Sequence, residues 1–434
     1  MFLKPRIDMI VFLEKVRVKT VFSAFEPVIT EPLELCYLKA VLNEINIENY
    51  IIDDLFALSA PPEVIPDVVV LTGYNVAENE IITNAQVYKS KYPHVKIIAG
   101  GVHIQCNPNA FHTNGIDYVC HTQSLNTFKI LIEKIINNNH SPTPGVDSIE
   151  NDSWAADGQN IADEEILYEK EQIMPDRSLY NIFSHKLRYL EKRRVALIKG
   201  SIGCPHGCSY CYCKLLNGGR YVKADYGKMI KEMKNINADY FWIVDDVLFS
   251  SRKDALEFIE IIKRTGLSVK IIGYLRADFI LREKDLLPSL KNAGLAEIIV
   301  GFEAPSNDEL KGYEKSTNAL DYPEVISLLK ENEIDLTALF MVQPDYQIKD
   351  FRNLYKFISA NKIDVYTISI LTPIKGTELY ELFKDKLITC NPGNFDFLHL
   401  VLKPRLPKWL FYLLFYGVHI KLLKSKRIWN YLLR

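Results

Sequence analysis

Cys204, Cys208 and Cys211 stand at C-x3-C-x2-C spacing within Gly203-Cys204-Pro205-His206-Gly207-Cys208-Ser209-Tyr210-Cys211-Tyr212-Cys213. Thiolates bind soft metal centres, and iron–sulfur clusters are held by cysteines closely spaced on a loop. Three thiolates on a four-iron cluster leave one iron without a protein ligand, open to a small molecule. Four thiols, counting Cys213, leave a structural zinc as the other occupant, but such sites usually pair two knuckles across a longer gap. One tight group with unequal spacings suits a cluster better, and Cys213 reads as a bystander.

A loop of this kind needs a scaffold, and apolar runs alternate with helical patterns on both sides of it. Strands are expected over 195–199, 240–244, 269–274, 297–300, 335–341 and 365–370. Helices are expected over 226–236, 253–265, 285–293, 322–332 and 350–361. Six strand–helix units fit a partial (β/α)6 TIM-like barrel over 191–385, with the cysteine loop after its first strand. In such barrels functional side chains gather at the strand C-terminal ends. Asp245-Asp246, Arg276 and Gly301-Phe302-Glu303 fall there; an acidic pair at such an end also reads as a helix cap.

The N-terminal third, residues 1–138, alternates in the same way. Strands are expected over 7–12, 50–53, 68–71, 95–99 and 116–119, and helices over 32–46, 78–91 and 127–136. The implied fold class is α/β, a Rossmann-like doubly wound parallel sheet, whose ligands bind beyond the strand C-terminal ends. Two loops lie there: Thr72-Gly73-Tyr74-Asn75 and Gly100-Gly101-Val102-His103. Paired glycines let a backbone approach a ligand closely, although plain strand-to-helix turns read the same way. His103, His112 and His121 read as solvent-facing rather than as metal ligands.

The cysteine spacing, with Tyr210 directly before the third thiol, resembles the signature of the radical S-adenosylmethionine (radical SAM) superfamily. The resemblance implies a [4Fe-4S] cluster on Cys204, Cys208 and Cys211, with SAM chelating the open iron. It implies a 5′-deoxyadenosyl radical after reduction by an external donor of flavodoxin or ferredoxin type. It gives Asp245 or Asp246 to the SAM ammonium, Arg276 to its carboxylate or ribose, Glu303 to the ribose hydroxyls and Tyr210 to the adenine. Lys315 is spaced like a lysine of the group with a fused N-terminal domain, and Thr372-Pro373-Ile374-Lys375-Gly376-Thr377 resembles that group's Thr-Pro-x-x-Gly-Thr loop.

Pro32-Leu33-Glu34-Leu35-Cys36-Tyr37-Leu38, Pro93, Gly100-Gly101 and Gly115-Ile116-Asp117-Tyr118 look like the cobalamin (B12)-binding domain fused to many such enzymes. This places cobalamin against Thr72, Gly73, Gly100 and Gly101. Two departures stand out: the D-x-H-x-x-G motif is absent, and His121-Thr122-Gln123-Ser124 replaces a frequent Gly-Glu-Gly-Glu. Met174-Pro175-Asp176, within a 139–190 linker, resembles the crossover segment of relatives. The resemblance implies cobalamin-dependent methylation of an unactivated carbon on a small-molecule, lipid or peptide substrate. Radical rearrangement, cyclisation or oxidation without methyl transfer is the alternative. A non-catalytic corrinoid or iron–sulfur binding protein is the alternative of another class.

Composition agrees with a globular protein of two or three domains: 434 residues, 48% apolar and 24% charged. Lys and Arg (52) nearly balance Asp and Glu (54), so no broad positive field favours nucleic acid. Eight cysteines in this length are no disulfide framework, and an oxygen-labile cluster implies a reducing, cytoplasmic setting. No secretory leader or membrane span is expected. Residues 386–434 form a helical basic-aromatic tail: 409–420 is almost wholly apolar, and no acid follows Asp396. Such a segment suits a buried helix over the barrel's open side or a peripheral contact with the membrane inner face.

Overall fold

The computed structural model describes residues 7–19, 26–150, 153–155, 173–217, 220–223, 225–311 and 317–433. They divide into two compact units. The first takes most of the chain up to Phe183; the second takes Ser184–Cys390, Asn394–Arg434 and the short segment Glu26–Glu31.

The first unit is built on a seven-stranded sheet. Five strands run parallel: Ile7–Lys15, Ile47–Ile52, Val68–Thr72, Lys96–Gly100 and Tyr118–Cys120. Their spatial order is 2-1-3-4-5, so the winding reverses between the first and third strands. Val68–Thr72, buried throughout, is a central strand with helices to cover both faces. Val69, Leu71, Ile97 and Ala99 pack with Ile81 and Ala85 of helix Glu78–Lys91. That helix carries acids in its first turn and Lys89 and Lys91 in its last, matching its dipole.

The sheet continues beyond the expected strands. Val146–Glu150 pairs antiparallel with Tyr118–Cys120, and Ser153–Ala155 pairs antiparallel with Val146–Glu150. Both lie in the polar stretch read as linker, where short edge strands carry too little apolar pattern to be seen. Further along, Asp176 donates its N–H to the Cys36 carbonyl at 2.9 Å and accepts from the Asn43 amide at 3.0 Å. The Pro175-Asp176 segment is thereby tied to helix Leu33–Glu44.

In the second unit six parallel strands follow one another in chain order: Val195–Ile198, Tyr240–Ile243, Ile271–Tyr274, Leu295–Glu303, Asp335–Val342 and Val365–Ile370. This is the open arrangement of a partial barrel, with a helical crossover after each strand. Helix Arg252–Thr265 has its ends fixed in sequence: Ser251 caps the Asp254 N–H, and Gly266 ends it in the left-handed region. The helix expected over 285–293 is present as the 3-10 turn Lys284–Leu286 leading into Leu287–Asn292, where Pro288 opens the latter and its missing N–H costs nothing; a further helix, Ala277–Arg282, precedes it.

At the amino ends of the strands lies a buried ion network. Glu297, fully buried, accepts from Lys192 and Arg427 at 2.7 Å each and from the Thr337 hydroxyl at 2.6 Å. Arg427 also meets Glu191 at 2.6 Å, and Lys192 meets Asp335 at 2.8 Å. The tail helix Lys408–His419 buries Phe411 and Phe415, with Phe411 edge-on to Phe351 of helix Ile348–Ala360. The Tyr366 hydroxyl of the last strand donates to the Val418 carbonyl at 2.7 Å. The tail thus packs on the last crossover helix and strand.

Candidate functional site

The thiol loop is tied off at its base. After Val195–Ile198 the chain turns at Lys199-Gly200 into Ser201–Gly203, which pairs antiparallel with Tyr221–Lys223. Cys204, Cys208 and Cys211 lie between these strands, free and half-buried, close enough for their charges to act on one another. Burial pushes the Cys204 thiol up to about 11. A hydrogen bond with Cys213 holds the Cys211 thiol below the usual range, and pushes Cys213 up in turn. Cys213, expected to stand outside the ligand set, is the buried hydrogen-bond partner of Cys211. Its place two residues after the third thiol was the only signal for it.

The acidic pair after the second strand splits into two roles. Asp245 is buried, accepts the Gly200 N–H at 2.8 Å and lies 3.8 Å from Lys199 Nζ. A Cβ at Gly200 would meet Asp245 Oδ2 at 3.0 Å and Met229 Sδ at 2.9 Å, so a side chain there would have to displace both. Asp245 anchors the turn that launches the loop, and burial raises its carboxyl above the ordinary value. Asp246 instead acts on Cys204 and Cys211 and bonds to Cys213. Of the two, Asp246 is the carboxylate beside the thiols.

Arg276 and Glu303 reach the same loop from the third and fourth strands. Arg276 Nη1 stands 4.0 Å from Cys208 Sγ, and its Nε donates to Asp278 at 2.8 Å. Asp278, two residues on, was missed in the sequence. Glu303 accepts the Tyr210 hydroxyl at 3.0 Å, and burial together with that carboxylate pushes the phenol up. A register shift between Gly301 and Glu303 and a left-handed Glu303 (φ 62°) mark a bulge at this strand end. Bulges re-aim side chains next to active sites, and a non-glycine residue at such φ costs ~1–3 kcal/mol. The structure thus gathers Tyr210, Asp246, Arg276 and Glu303 around the thiols, while Asp245 supports from behind.

Other expected residues hold structure. The Thr372 hydroxyl donates to the Ile370 carbonyl at 2.9 Å, and Thr377 caps helix Glu378–Phe383. Lys315 lies outside the described residues. The three histidines do not face solvent freely: His103 is buried against Glu78 at 2.7 Å, and His112 and His121 share Asp147 at 2.9 and 3.2 Å. Asp147 lies on the edge strand absent from the expected elements, so these pairings were not readable. Among the described residues no three His, Cys, Asp or Glu side chains are gathered to hold a single metal ion.

In the first unit a cavity of about 270 Å³ opens beyond the strand C-terminal ends. Lys15 of the first strand and Thr72 of the third line it, at the winding reversal where such sheets take ligands. Thr72, Gly73, Gly100 and Gly101, the four expected residues, all line it, joined by Thr122 and Ser124 of the stretch that replaces Gly-Glu-Gly-Glu. Gly101 has φ +120°, and a Cβ there would strike Thr72 Oγ1 at 2.5 Å. Leu35, Leu38, Val70, Ile98, Leu125 and Phe128 supply apolar walls. The Lys15 ammonium, buried, pairs with Glu34 and lies 4.3 Å from the Tyr74 ring centre.

Residues 198–358 match the Radical SAM superfamily model. A hopanoid C-3 methylase of Methylococcus capsulatus is 27% identical over 217 residues, 50% of this chain and 42% of that protein. An anaerobic magnesium-protoporphyrin IX monomethyl ester cyclase of Cereibacter sphaeroides is 27% identical over 219 residues, 49% of this chain and 36% of that protein. The chain thus spans less than half the length of either relative. The solved radical SAM methyltransferase TsrM of Kitasatospora setae, with cobalamin and a [4Fe-4S] cluster bound, superposes with TM-score 0.68 at 15% identity, covering 96% of this chain and 90% of that one. At that identity the likeness is one of fold.

A radical SAM domain implies a [4Fe-4S] cluster and SAM, and the donor set fits both. Three free, half-buried thiols would hold the cluster, and a carboxylate, a guanidinium and a phenol–carboxylate pair stand beside those thiols. The first-unit cavity falls just below the ~300–1,000 Å³ usual for ligand pockets, and Gly101 leaves no room for a side chain at its wall. The thiol loop and the polar strand ends fall within residues 198–358, the span that matches the radical SAM superfamily.

Proposed function

We propose that the chain is a cobalamin-dependent radical SAM enzyme that methylates an unactivated carbon of an apolar, ring-rich substrate. The observation that carries this reading is one chain holding both the three-thiol loop and a glycine-walled cavity at a winding reversal. When bound, the cluster and SAM supply a 5′-deoxyadenosyl radical and the corrinoid supplies the methyl group. The protein supplies placement and exclusion of water. Asp246 is assigned to the SAM ammonium, Arg276 to its carboxylate and Glu303 to its ribose, with Tyr210 fixing the Glu303 carboxylate by its 3.0 Å bond. Asp245 positions the loop through Gly200.

The substrate class is read from the strand faces. Trp242, Tyr274 and Leu339, partly buried, pack on Tyr189, Leu190, Ile272 and Ile299, and Ile428 of the tail packs against the same cluster. An aromatic and aliphatic surface suits a flat hydrocarbon-rich molecule, and the two relatives are named for a hopanoid and a porphyrin. Radical SAM enzymes generally need an external electron donor; a flavodoxin or ferredoxin is assigned here. A cytoplasmic setting is assigned because an oxygen-labile cluster needs a reducing compartment, with a peripheral seat at the inner membrane face. No helix among the described residues is long and apolar enough to cross a membrane.

Anaerobic reconstitution with iron, sulfide and hydroxocobalamin, followed by product analysis, tests the proposal. Methyl transfer gives both S-adenosylhomocysteine and 5′-deoxyadenosine. The cyclase relative favours a second reading, radical chemistry without methyl transfer, for which deoxyadenosine alone is the result. Neither product under reducing conditions leaves only a binding protein.

A further inference from the structure

The tail helix Lys408–His419 is apolar on two opposite faces. Phe411, Phe415 and Val418 recur at helical spacing and are buried against the second unit. On the other side Trp409, Leu413, Tyr416 and Ile420 recur at the same spacing, and here Trp409 is 69%, Leu413 63% and Ile420 63% exposed. Leu423 and Trp429 extend the exposed apolar surface. A solvent-facing helix ordinarily turns polar residues to water. Large contiguous apolar surface on a folded protein marks a contact site.

The charges around this stripe select its partner. Lys403, Arg405, Lys408, Lys424 and Lys426 are exposed, and among the described residues none of the five is ion-paired. No acid follows Asp396 in the sequence. A second copy of the same face would set these cations against one another. An anionic lipid surface would neutralise them while burying the stripe, and Trp and Tyr favour the headgroup boundary. Twelve residues of helix extend ~18 Å against a ~30 Å hydrocarbon core, so the helix lies in the interface and does not cross it. Its inner face is already occupied, and Arg427 fixes the following helix through Glu191 and Glu297. The stripe therefore has no packing place left within its own unit.

We propose that the exposed face of Lys408–His419, with its flanking lysines, is a docking surface for an anionic bilayer. It holds the enzyme in the headgroup plane. The test uses the full chain, cosedimented with vesicles of phosphatidylcholine alone and of phosphatidylcholine with phosphatidylglycerol. Binding is expected only with the anionic vesicles, falling at least about tenfold on raising the salt. Trp409→Ser/Leu413→Ser/Ile420→Ser is expected to abolish it with an unchanged circular dichroism spectrum. Lys408→Glu/Lys424→Glu, at two exposed lysines beside the stripe, is expected to abolish the preference for anionic lipid. Equal binding by wild type and both variants overturns the proposal. So does wild type that ignores vesicles but self-associates, with the serine variant monomeric: the face would then belong to a second copy. Neither result bears on the product analysis of the radical chemistry.

Discussion

Two sites in this chain occupy equivalent positions, the carboxyl ends of parallel strands, and are built on opposite principles. The cavity of the first unit is defined by what is missing. Gly101 takes φ +120°, any Cβ there would collide with Thr72, and the walls are largely apolar. The thiol loop of the second unit is defined by donor atoms: three sulfurs, Asp246, Arg276 and the Tyr210–Glu303 pair. One site selects by shape and the other by coordination and charge. A shape site fails when an atom is added, whereas a donor site fails when one is taken away.

The contrast is sharpest in two single substitutions that should dissociate. Cys208→Ala removes a cluster thiolate. It should abolish the broad visible absorption of the reconstituted cluster and all deoxyadenosine formation, while the corrinoid spectrum in the same sample stays unchanged. Gly101→Ala adds one methyl group. It should leave iron and sulfide content intact, weaken corrinoid uptake in a spectral titration, and destabilise the first unit by ~1–3 kcal/mol. If either substitution disturbs both spectra equally, the two sites are not separable in this way.

The smallest expected effect concerns the support behind the donor site. Burial raises the Asp245 carboxyl above its ordinary value, so the folded state favours the protonated form. Stability from this group is complete below the unfolded value and declines as pH rises toward the folded value, by ~1.4 kcal/mol for each unit between them. Asp245→Asn keeps an acceptor for the Gly200 N–H but has no proton to lose. Thermal melts from pH 4 to 8 should fall in wild type and flatten in this variant. Parallel curves would remove the buried carboxyl as the cause.

The same contrast explains what the sequence could reveal. Alternating apolar runs located all eleven parallel strands because burial on both faces forces that pattern. The cysteine spacing pointed to the thiol loop because ligand types cannot be exchanged freely. The cavity showed only as glycine pairs, which turns also use. The division of labour between Asp245 and Asp246 was hidden, since it depends on which carboxylate faces Gly200 rather than on residue type. The bulge that turns Glu303 toward Tyr210 has no sequence marker beyond Gly301. The edge strands carrying Asp147 lay in a polar stretch with no period to read.

The ion network beneath the barrel strands has a consequence for how the protein is made. Glu297 belongs to the fourth strand, but one of its two cations, Arg427, is translated 130 residues later. Until that arginine arrives, the carboxylate sits in the barrel's base with half its counter-charge, and an unmatched buried ion costs ~3–5 kcal/mol. A barrel folded before that helix docks is therefore electrostatically unfinished. The helix carrying Arg427 acts as its closing pin, so trimming the tail would report on the barrel's integrity as much as on anything the tail touches.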